Sequence, residues 1–230
     1  MDKASPIVIS LGGSLVVPNG GIDIKFVSEF NIFIRNKVAN NWRFFIVVGG
    51  GATARAYIDA AKKVAGNISD WDLDWLGIHS TRLNAHMLRT IFQDIAHPRI
   101  IQNYEKKIVN LRQPLVVAAG WKPGSSTDYD AVLLARDYKS HVVINMSNIS
   151  SVYDKDPNKF PDAKPYHKLK WNEFVKLVGV TWSPGSNLPF DPIATKLAKE
   201  LGLKVFVVGK ELDNIENILN GQDFVGTVIS

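Results

Sequence analysis

The alternation of short apolar runs with stretches of helical period constrains this sequence most, and it continues from one end to the other. Ile7 to Leu11 and Phe44 to Val48 are typical of buried strands, while Ile24 to Ala39 places its apolar residues on one face of a helix. Strands that alternate with helices pair in parallel through right-handed crossovers. The sequence therefore predicts an α/β fold, a three-layer α/β/α sandwich with a mainly parallel central sheet.

The same pattern predicts the remaining elements of what we expect to be a single domain. The further predicted strands are 115–119, 142–145, 204–208 and 227–229. The further predicted helices are 53–64, 128–136, 171–178, 191–201 and 213–219. In addition, a long helix is predicted to follow a polar loop at 67–72 and to run through Ile91. Pro98 is expected to end the long helix, because proline cannot continue its hydrogen bonds. Residues 152–165 are rich in Asp, Lys and Pro and are expected to form an exposed excursion, with a hairpin as one interpretation.

Composition limits the ligands and the location that we expect. With 46% hydrophobic residues, no cysteine and a net charge of +5, the chain is globular, has neither disulfides nor thiolate metal sites, and favours an anionic partner. It contains no run of about 18 apolar residues and no signal-peptide cleavage pattern, so we expect a cytoplasmic protein without a membrane partner. Basic residues are scattered among acids, so nucleic acid is not an expected partner.

Three turns that contain glycine, at 12–14, 49–51 and 120–124, each follow an apolar strand. Glycine lets a phosphate approach the backbone amides, and a helix that starts after the turn adds free N–H groups. Because the carboxyl ends of parallel strands share one edge, the three turns should converge there. No P-loop motif occurs. Gly49 to Ala54 fit a loose dinucleotide-binding pattern, but the acid that this pattern requires at the end of the following strand is missing. The histidines have no spacing typical of metal ligands. The sequence therefore predicts a phosphate site of another kind, with no metal held by the protein itself.

Taken in order, strand-GGS, strand-GGG followed by Arg55, G-x-x-P-G-x-x-T-D and V-Y-D-K-D-P resemble the amino acid kinase superfamily and, within it, the UMP kinases of the archaeal type. The resemblance runs from Ile7 to Ile229. Its most specific pieces are 75–78 with 81–85, 122–124 with 127–128, and Asn187 to Lys196. It implies the carbamate kinase-like fold of this superfamily, with the acceptor bound roughly by residues 1–140 and ATP roughly by 141–230.

The resemblance also implies the reaction. The γ-phosphoryl group of ATP would pass to UMP, giving UDP and ADP in pyrimidine nucleotide biosynthesis. Mg²⁺ would arrive on the ATP phosphates, and the chain would form a homo-oligomer, a hexamer built from dimers. Such a transfer needs no covalent intermediate, because positioning two anions in line and neutralising their oxygens supplies most of the catalysis.

Individual residues take roles from the same resemblance. Arg55 and Asp128 are the implied catalytic residues. The residues implied for ATP are Gly12, Gly13, Ser14, Gly51, Arg55, Ser147, Asn148, Tyr153 and Asp156. The residues implied for UMP are Gly50, Asp74, Trp121, Lys122, Pro123, Gly124, Ser125, Ser126 and Thr127, with Asp74 on the ribose hydroxyls.

One departure concerns the principal cation. Many superfamily members carry a lysine two residues before the first glycine pair, where Ser10 stands here, although UMP kinases of the archaeal type also lack it. A hydroxyl cannot neutralise charge as an ammonium does, so Arg55 is our first choice of cation, with Lys122 and Lys196 as alternatives. Two other functions stay open: a kinase of another small acceptor (carbamate, an amino acid or isopentenyl phosphate), and a nucleotide-binding sensor or storage protein without catalysis.

Overall fold

The computed structural model describes residues 1–179 and 188–230. Within these ranges the strands are β1 Ile7–Leu11, β2 Phe44–Val48, β3 Leu115–Ala118, β4 Val142–Met146, β5 Val152–Tyr153, β6 Pro165–Tyr166, β7 Lys168–Leu169, β8 Lys204–Val208 and β9 Thr227–Ile229. The helices are α1 Gly13–Val16, α2 Ile24–Ala39, α3 Gly51–Ala65, α4 Asp70–Ile91, α5 Thr127–Asp137, α6 Trp171–Val178, α7 Pro192–Glu200 and α8 Leu212–Asn220. The elements predicted from the sequence are present, while α1 and β7 were not predicted.

The main sheet has seven strands in the order β3-β2-β1-β4-β8-β9-β7. β1 pairs in parallel with both β2 and β4, β2 with β3, and β4 with β8, whereas β9 runs antiparallel to β8. The predicted α/β fold with a mainly parallel sheet is confirmed. The strand order reverses between β1 and β4, which is where sheets of this kind bind ligands, beyond the carboxyl ends of the strands.

Alternate side chains of the central strands pack into two separate cores. Ile7, Ile9 and Leu11 of β1 lie in one core with α2 and α8, while Val8 lies in the other with α5, α6 and α7. A strand in which every residue is buried must have a layer of helices on each face, because successive side chains point to opposite sides. The predicted three-layer arrangement is therefore confirmed. Helix α3 differs from the others, since none of its residues is buried.

The ends of α4 differ from the prediction. The helix begins at Asp70, inside the stretch expected to be a loop, because the Ser69 side chain caps it by accepting a hydrogen bond from the Asp72 N–H. It ends at Ile91, so the expectation that Pro98 ends it was wrong. Beyond the helix the chain runs beside β3, with bridges from Ala96 to Leu115 and from Ile101 to Ala118. Pairing with the sheet edge ends this helix before the proline is reached.

The excursion after β4 forms a hairpin, as the sequence suggested. β5 and β6 pair antiparallel outside the main sheet, with Val152 opposite Tyr166. Of the segments that carried the resemblance, Asn187 lies outside the described residues, and the part from 188 onward is described.

Candidate active site

The glycine turns after β1 and β2 pack against each other, backbone to backbone. A Cβ atom on Gly13 would lie 2.2 Å from the Gly51 nitrogen, and one on Gly49 would lie 2.6 Å from the Gly13 nitrogen. Gly51 also has a φ of +63°, in the left-handed region that favours glycine. Side chains are thus excluded at this contact, which joins the first turn to the N-terminus of α3. The first two turns converge as predicted.

Helix α4 holds the second and third turns. The Asn84 side chain donates to the carbonyl oxygens of Gly49 at 2.8 Å and Gly50 at 3.3 Å. The Thr81 hydroxyl accepts from the Gly120 N–H at 2.8 Å. Thr81 and Asn84 are both buried, and a spacing of three residues places them on one face of the helix. All three glycine turns therefore meet at one edge of the sheet, along α4.

The 121–127 segment, which overlaps the third turn, is also tied to α4. Arg82 donates to the Trp121 carbonyl oxygen at 3.0 Å, and Asp74 accepts from the Gly124 N–H at 2.9 Å. Burial raises the pKa of Asp74, and the hydrogen bond from Gly124 opposes this rise. The Lys122 ammonium lies 3.9 Å from the centre of the Trp121 ring, a cation–π contact. The structure thus brings Asp74 to the segment that the resemblance implies for UMP.

Asp128, near the start of α5, connects β1 with α7. Its carboxylate accepts from the Ser10 hydroxyl at 2.8 Å and from the Asp191 N–H at 3.2 Å. Asp191 in turn caps α7 by accepting from the Ala194 N–H at 2.7 Å. Burial raises the pKa of Asp128 to about 6; the hydrogen bond from Ser10 opposes this, and the charge of Asp191 adds to it. Ser10, which stands in the place of a lysine, therefore positions the implied catalytic carboxylate.

Asp130 is a second carboxyl on α5 and is fully buried. One of its oxygens accepts from the Ser125 hydroxyl at 2.9 Å and the other from the Trp121 N–H at 3.1 Å. Burial raises the pKa of Asp130 to about 7, with these two hydrogen bonds opposing the rise and the charges of Asp128 and Asp191 adding to it. Asp130 thus fastens the 121–127 segment to the helix that carries Asp128.

The N-terminus of α5 does not form a capping box, in which two side chains three residues apart cap the helix together. Thr127 and Asp130 have the spacing of such a box, in which their side chains would cap the helix. The cap is instead Ser126, whose hydroxyl accepts from the Tyr129 N–H at 3.1 Å. The helix thus begins one residue earlier than the spacing of a box would place it, and the Asp130 side chain turns toward the 121–127 segment.

Arg55 is exposed on α3 and points toward the first glycine turn. Its guanidinium nitrogens lie 3.4 Å from the Ser14 hydroxyl and 3.3 Å from the Pro18 carbonyl oxygen. A guanidinium at this place can bind a phosphate through two hydrogen bonds. Of the alternative cations, Lys122 lies on the 121–127 segment and Lys196 is exposed on α7. Arg55 is thus the candidate that lies against the joined turns.

Beyond β4, four of the residues implied for ATP line one cleft of about 500 Å³. They are Ser147, Asn148, Tyr153 and Asp156. The cleft lies between the end of β4 and the β5–β6 hairpin, and Val178 and Leu188 give it apolar walls. A larger cleft of about 620 Å³ lies between α2 and α8, but it contains none of the predicted site residues. The volume of a cleft alone therefore does not identify the candidate active site.

Several positioning residues were not recognised from the sequence. They are Thr81, Arg82, Asn84, Asp130 and Asp191, all of which except Asp130 belong to segments quoted for the resemblance without a role. A usable signal was present in α4, where polar residues share the face that should be apolar. Asp191 had a local signal as a helix cap, because Pro192 follows it at the first helical position. No comparable signal marked Asp130, because its partners lie in the 121–127 segment.

The described residues provide neither a cluster of metal ligands nor a helix that could cross a membrane. Among residues 1–179 and 188–230, no group of three or more His, Cys, Asp and Glu side chains is placed to hold a metal ion. Within the same ranges, no helix combines the length and the apolar character needed to cross a membrane.

Known proteins resemble this chain in both sequence and architecture. The profile of the amino acid kinase family matches residues 5–209. A uridylate kinase of Thermoplasma volcanium is 36% identical over 226 residues, 97% of this chain and 96% of its own, and one of Pyrococcus abyssi is 34% identical over 208 residues, 89% of this chain and 90% of its own. The crystal structure of uridylate kinase from Archaeoglobus fulgidus superposes with a TM-score of 0.82 at 33% identity, covering 98% of this chain and all of that chain. The chain therefore belongs to the amino acid kinase family and, within it, to the group of the archaeal uridylate kinases.

Proposed function

We propose that this chain transfers the γ-phosphoryl group of ATP to UMP, giving UDP and ADP. The observation that carries the proposal is the meeting of three glycine turns beside a separate cleft, all at the carboxyl edge of one parallel sheet. This arrangement offers two neighbouring nucleotide sites with backbone amides between them. The similarity to uridylate kinases over almost the whole chain supports UMP as the acceptor.

The chemistry asks little of the protein beyond position and charge. The attacking oxygen of a nucleoside monophosphate is already anionic, so no residue has to remove a proton from it. The in-line arrangement of the two phosphates and the neutralisation of their oxygens then supply most of the rate enhancement. Mg²⁺ is usually held by substrate phosphates together with one or two carboxylates, and we propose that here it arrives on ATP. Arg55 and the amides of the joined turns would contribute the remaining positive charge.

We propose a division of the site along the sheet edge. The 500 Å³ cleft would hold the adenosine of ATP, and Gly12, Gly13, Ser14 and Gly51 would contact the phosphates between the two nucleotides. Gly50, Asp74 and the 121–127 segment would hold UMP. Acceptor binding would then fall roughly to residues 1–140 and ATP binding roughly to 141–230, which together would act as one domain.

A coupled assay of ADP release tests the function, with UMP, CMP, carbamate and isopentenyl phosphate each presented with Mg-ATP. We expect turnover with UMP, at a kcat/KM at least about tenfold above that for each other acceptor. A preference for a non-nucleotide acceptor would replace the UMP assignment. Binding of ATP and UMP without turnover of any acceptor would favour a sensor or storage protein.

Two substitutions separate the acceptor side from the reacting phosphates. Asp74→Asn is expected to raise the KM for UMP about tenfold with little change in kcat, because it weakens a hydrogen bond to the ribose. Arg55→Ala is expected to lower kcat by about 10- to 100-fold, because its charge acts on the transferring group. Steady-state kinetics with both substrates varied would measure these effects, with Lys62→Ala, in the last turn of α3, as the control for loss of a surface cation. Equal effects of both substitutions on kcat and KM would contradict the separate roles.

We propose that the chain assembles with copies of itself, as the hexamer implied by the resemblance would require. Helix α3 supports this, because none of its residues is buried and it carries Tyr57 and Val64 at 63% and 89% exposure. Trp71 at the start of α4 is 59% exposed as well. An amphipathic helix usually buries an apolar face, and a second copy could cover this one. A cytoplasmic location and a role in pyrimidine nucleotide biosynthesis remain predictions.

A further inference from the structure

The hydrogen bond between Ser125 and Asp130 can run in either direction. The two oxygens lie 2.9 Å apart, and Asp130 is fully buried while Ser125 is partly exposed in the 121–127 segment. A hydroxyl can donate or accept, whereas an ionised carboxylate can only accept. Ser125 must therefore donate its proton inward while Asp130 is charged. When Asp130 is neutral, its own proton can make the bond, and the Ser125 proton becomes free to point elsewhere.

We propose that Asp130 is a positioning residue that sets the direction of the Ser125 hydroxyl, so that Ser125 donates to the anionic acceptor only when the Asp130 carboxyl is neutral. The inference rests on the proposed function, which places the UMP phosphate at the 121–127 segment. When Asp130 is ionised, the Ser125 proton points to Asp130, so the hydroxyl presents only its oxygen lone pairs to the phosphate. The buried negative charge of Asp130 then also repels the phosphate. Neutral Asp130 removes the charge and supplies a donor, so acceptor affinity is coupled to a proton.

The groups around Asp130 keep its neutral form accessible. Asp128 on the same helix and Asp191 at the start of α7 disfavour a further negative charge, and together with burial they hold the pKa of Asp130 at about 7. The Tyr104 phenol, in the stretch before β3, donates to the Ala119 carbonyl oxygen at 2.8 Å, and burial keeps its pKa well above the ordinary value. Arg82 on α4 donates to the Trp121 carbonyl oxygen and is not among the groups that shift the pKa of Asp130. Both forms of Asp130 are therefore populated near neutral pH.

The second hydrogen bond of Asp130 keeps the segment in place in both forms. The Trp121 N–H donates to the other carboxyl oxygen at 3.1 Å, and that oxygen accepts whether or not its partner carries a proton. Protonation therefore reverses one hydrogen bond without releasing the segment. Asparagine at position 130 would copy the neutral form, since its oxygen can accept from Trp121 while its amide group donates to Ser125.

The test compares the KM for UMP and kcat, at saturating Mg-ATP between about pH 6 and about pH 8.5, in the wild type, D130N, S125A and the double variant. From low to high pH, the wild-type KM is expected to rise at least about fivefold relative to that of D130N, with a constant kcat ratio. UMP itself titrates in this range, and the comparison at each pH removes that contribution. In the S125A background only the charge of Asp130 can act on the acceptor, so adding D130N should lower KM at high pH by less than it does when Ser125 is present.

Parallel KM curves for the wild type and D130N would overturn the proposal while leaving the UMP site intact, provided that S125A raises KM. A KM that S125A leaves unchanged at every pH would instead count against the proposed acceptor site. Calorimetry needs no Asp130 variant: UMP binding at about pH 7.5, in buffers of different ionisation enthalpy, should take up more protons in the wild type than in S125A. Equal uptake by the two proteins would also overturn the proposal.

Discussion

Replacing Gly13 with alanine is expected to lower kcat at least about 100-fold and to lower the free energy of unfolding by about 3 kcal/mol. The added methyl group would lie 2.2 Å from the Gly51 nitrogen and 2.5 Å from the Gly49 carbonyl carbon. These are backbone atoms, so no side chain can rotate away, and the two turns must separate. Because the turns would hold the transferring phosphates, a shift of about 1 Å is enough to misalign the in-line attack.

Gly21→Ala is the matched control for this prediction. Its added methyl group would meet nothing within 4 Å, so both kcat and the free energy of unfolding should stay close to the wild-type values. Steady-state kinetics with ATP and UMP and unfolding in urea would measure both quantities for each variant. A Gly13→Ala protein with wild-type kcat would show that the contact between the turns does not position the reacting phosphates.

The fold could be predicted from the sequence because its signals are local. The central strands are mostly apolar runs, as in Phe44–Val48, and a strand buried on both faces admits few other interpretations. The end of α4 could not be predicted, because the chain beyond it pairs with the distant β3, first through the bridge between Ala96 and Leu115. Pro98 marks a position at which a helix cannot continue, but α4 ends before it, at Ile91, and the chain that follows pairs with β3.

The position of the candidate active site was predicted from the sequence, but the hydrogen bonds between its residues were not. Glycine turns at the ends of parallel strands must meet at one edge, so their convergence follows from sequence and topology alone. The bond from Ser10 to Asp128 joins residues 118 positions apart, and spacing along the chain carries no information about such a pair. The same holds for Asn84, which reaches back to Gly49 from α4. Ser10 looked like the loss of a catalytic lysine, whereas the structure gives it a partner on α5.

Replacing Asp128 with asparagine is expected to lower kcat about 100-fold or more, with little change in the KM for UMP. Asparagine has the same shape: its oxygen can accept from the Asp191 N–H while its amide group donates to the Ser10 hydroxyl. The substitution therefore removes the charge and keeps the connection between β1 and α7. Asp128→Ala, which removes both, should lower kcat further and should also lower the midpoint of thermal unfolding.

The pH dependence of Asp128→Asn distinguishes a catalytic loss from a structural one. The folded pKa of Asp128, about 6, lies above the ordinary value of 3.8, so the folded protein binds this proton more tightly than the unfolded chain. Ionisation of Asp128 therefore lowers stability as the pH rises from 3.8 to about 6, and above that range the loss is complete. Asparagine avoids it, so at about pH 8 the variant should unfold at or above the wild-type temperature while turning over far more slowly. Below about pH 6, where the carboxylate of the free protein is protonated, wild-type kcat/KM should fall relative to that of the variant measured at the same pH. A variant that loses activity and thermal stability together would show that Asp128 supports the fold instead of the reaction.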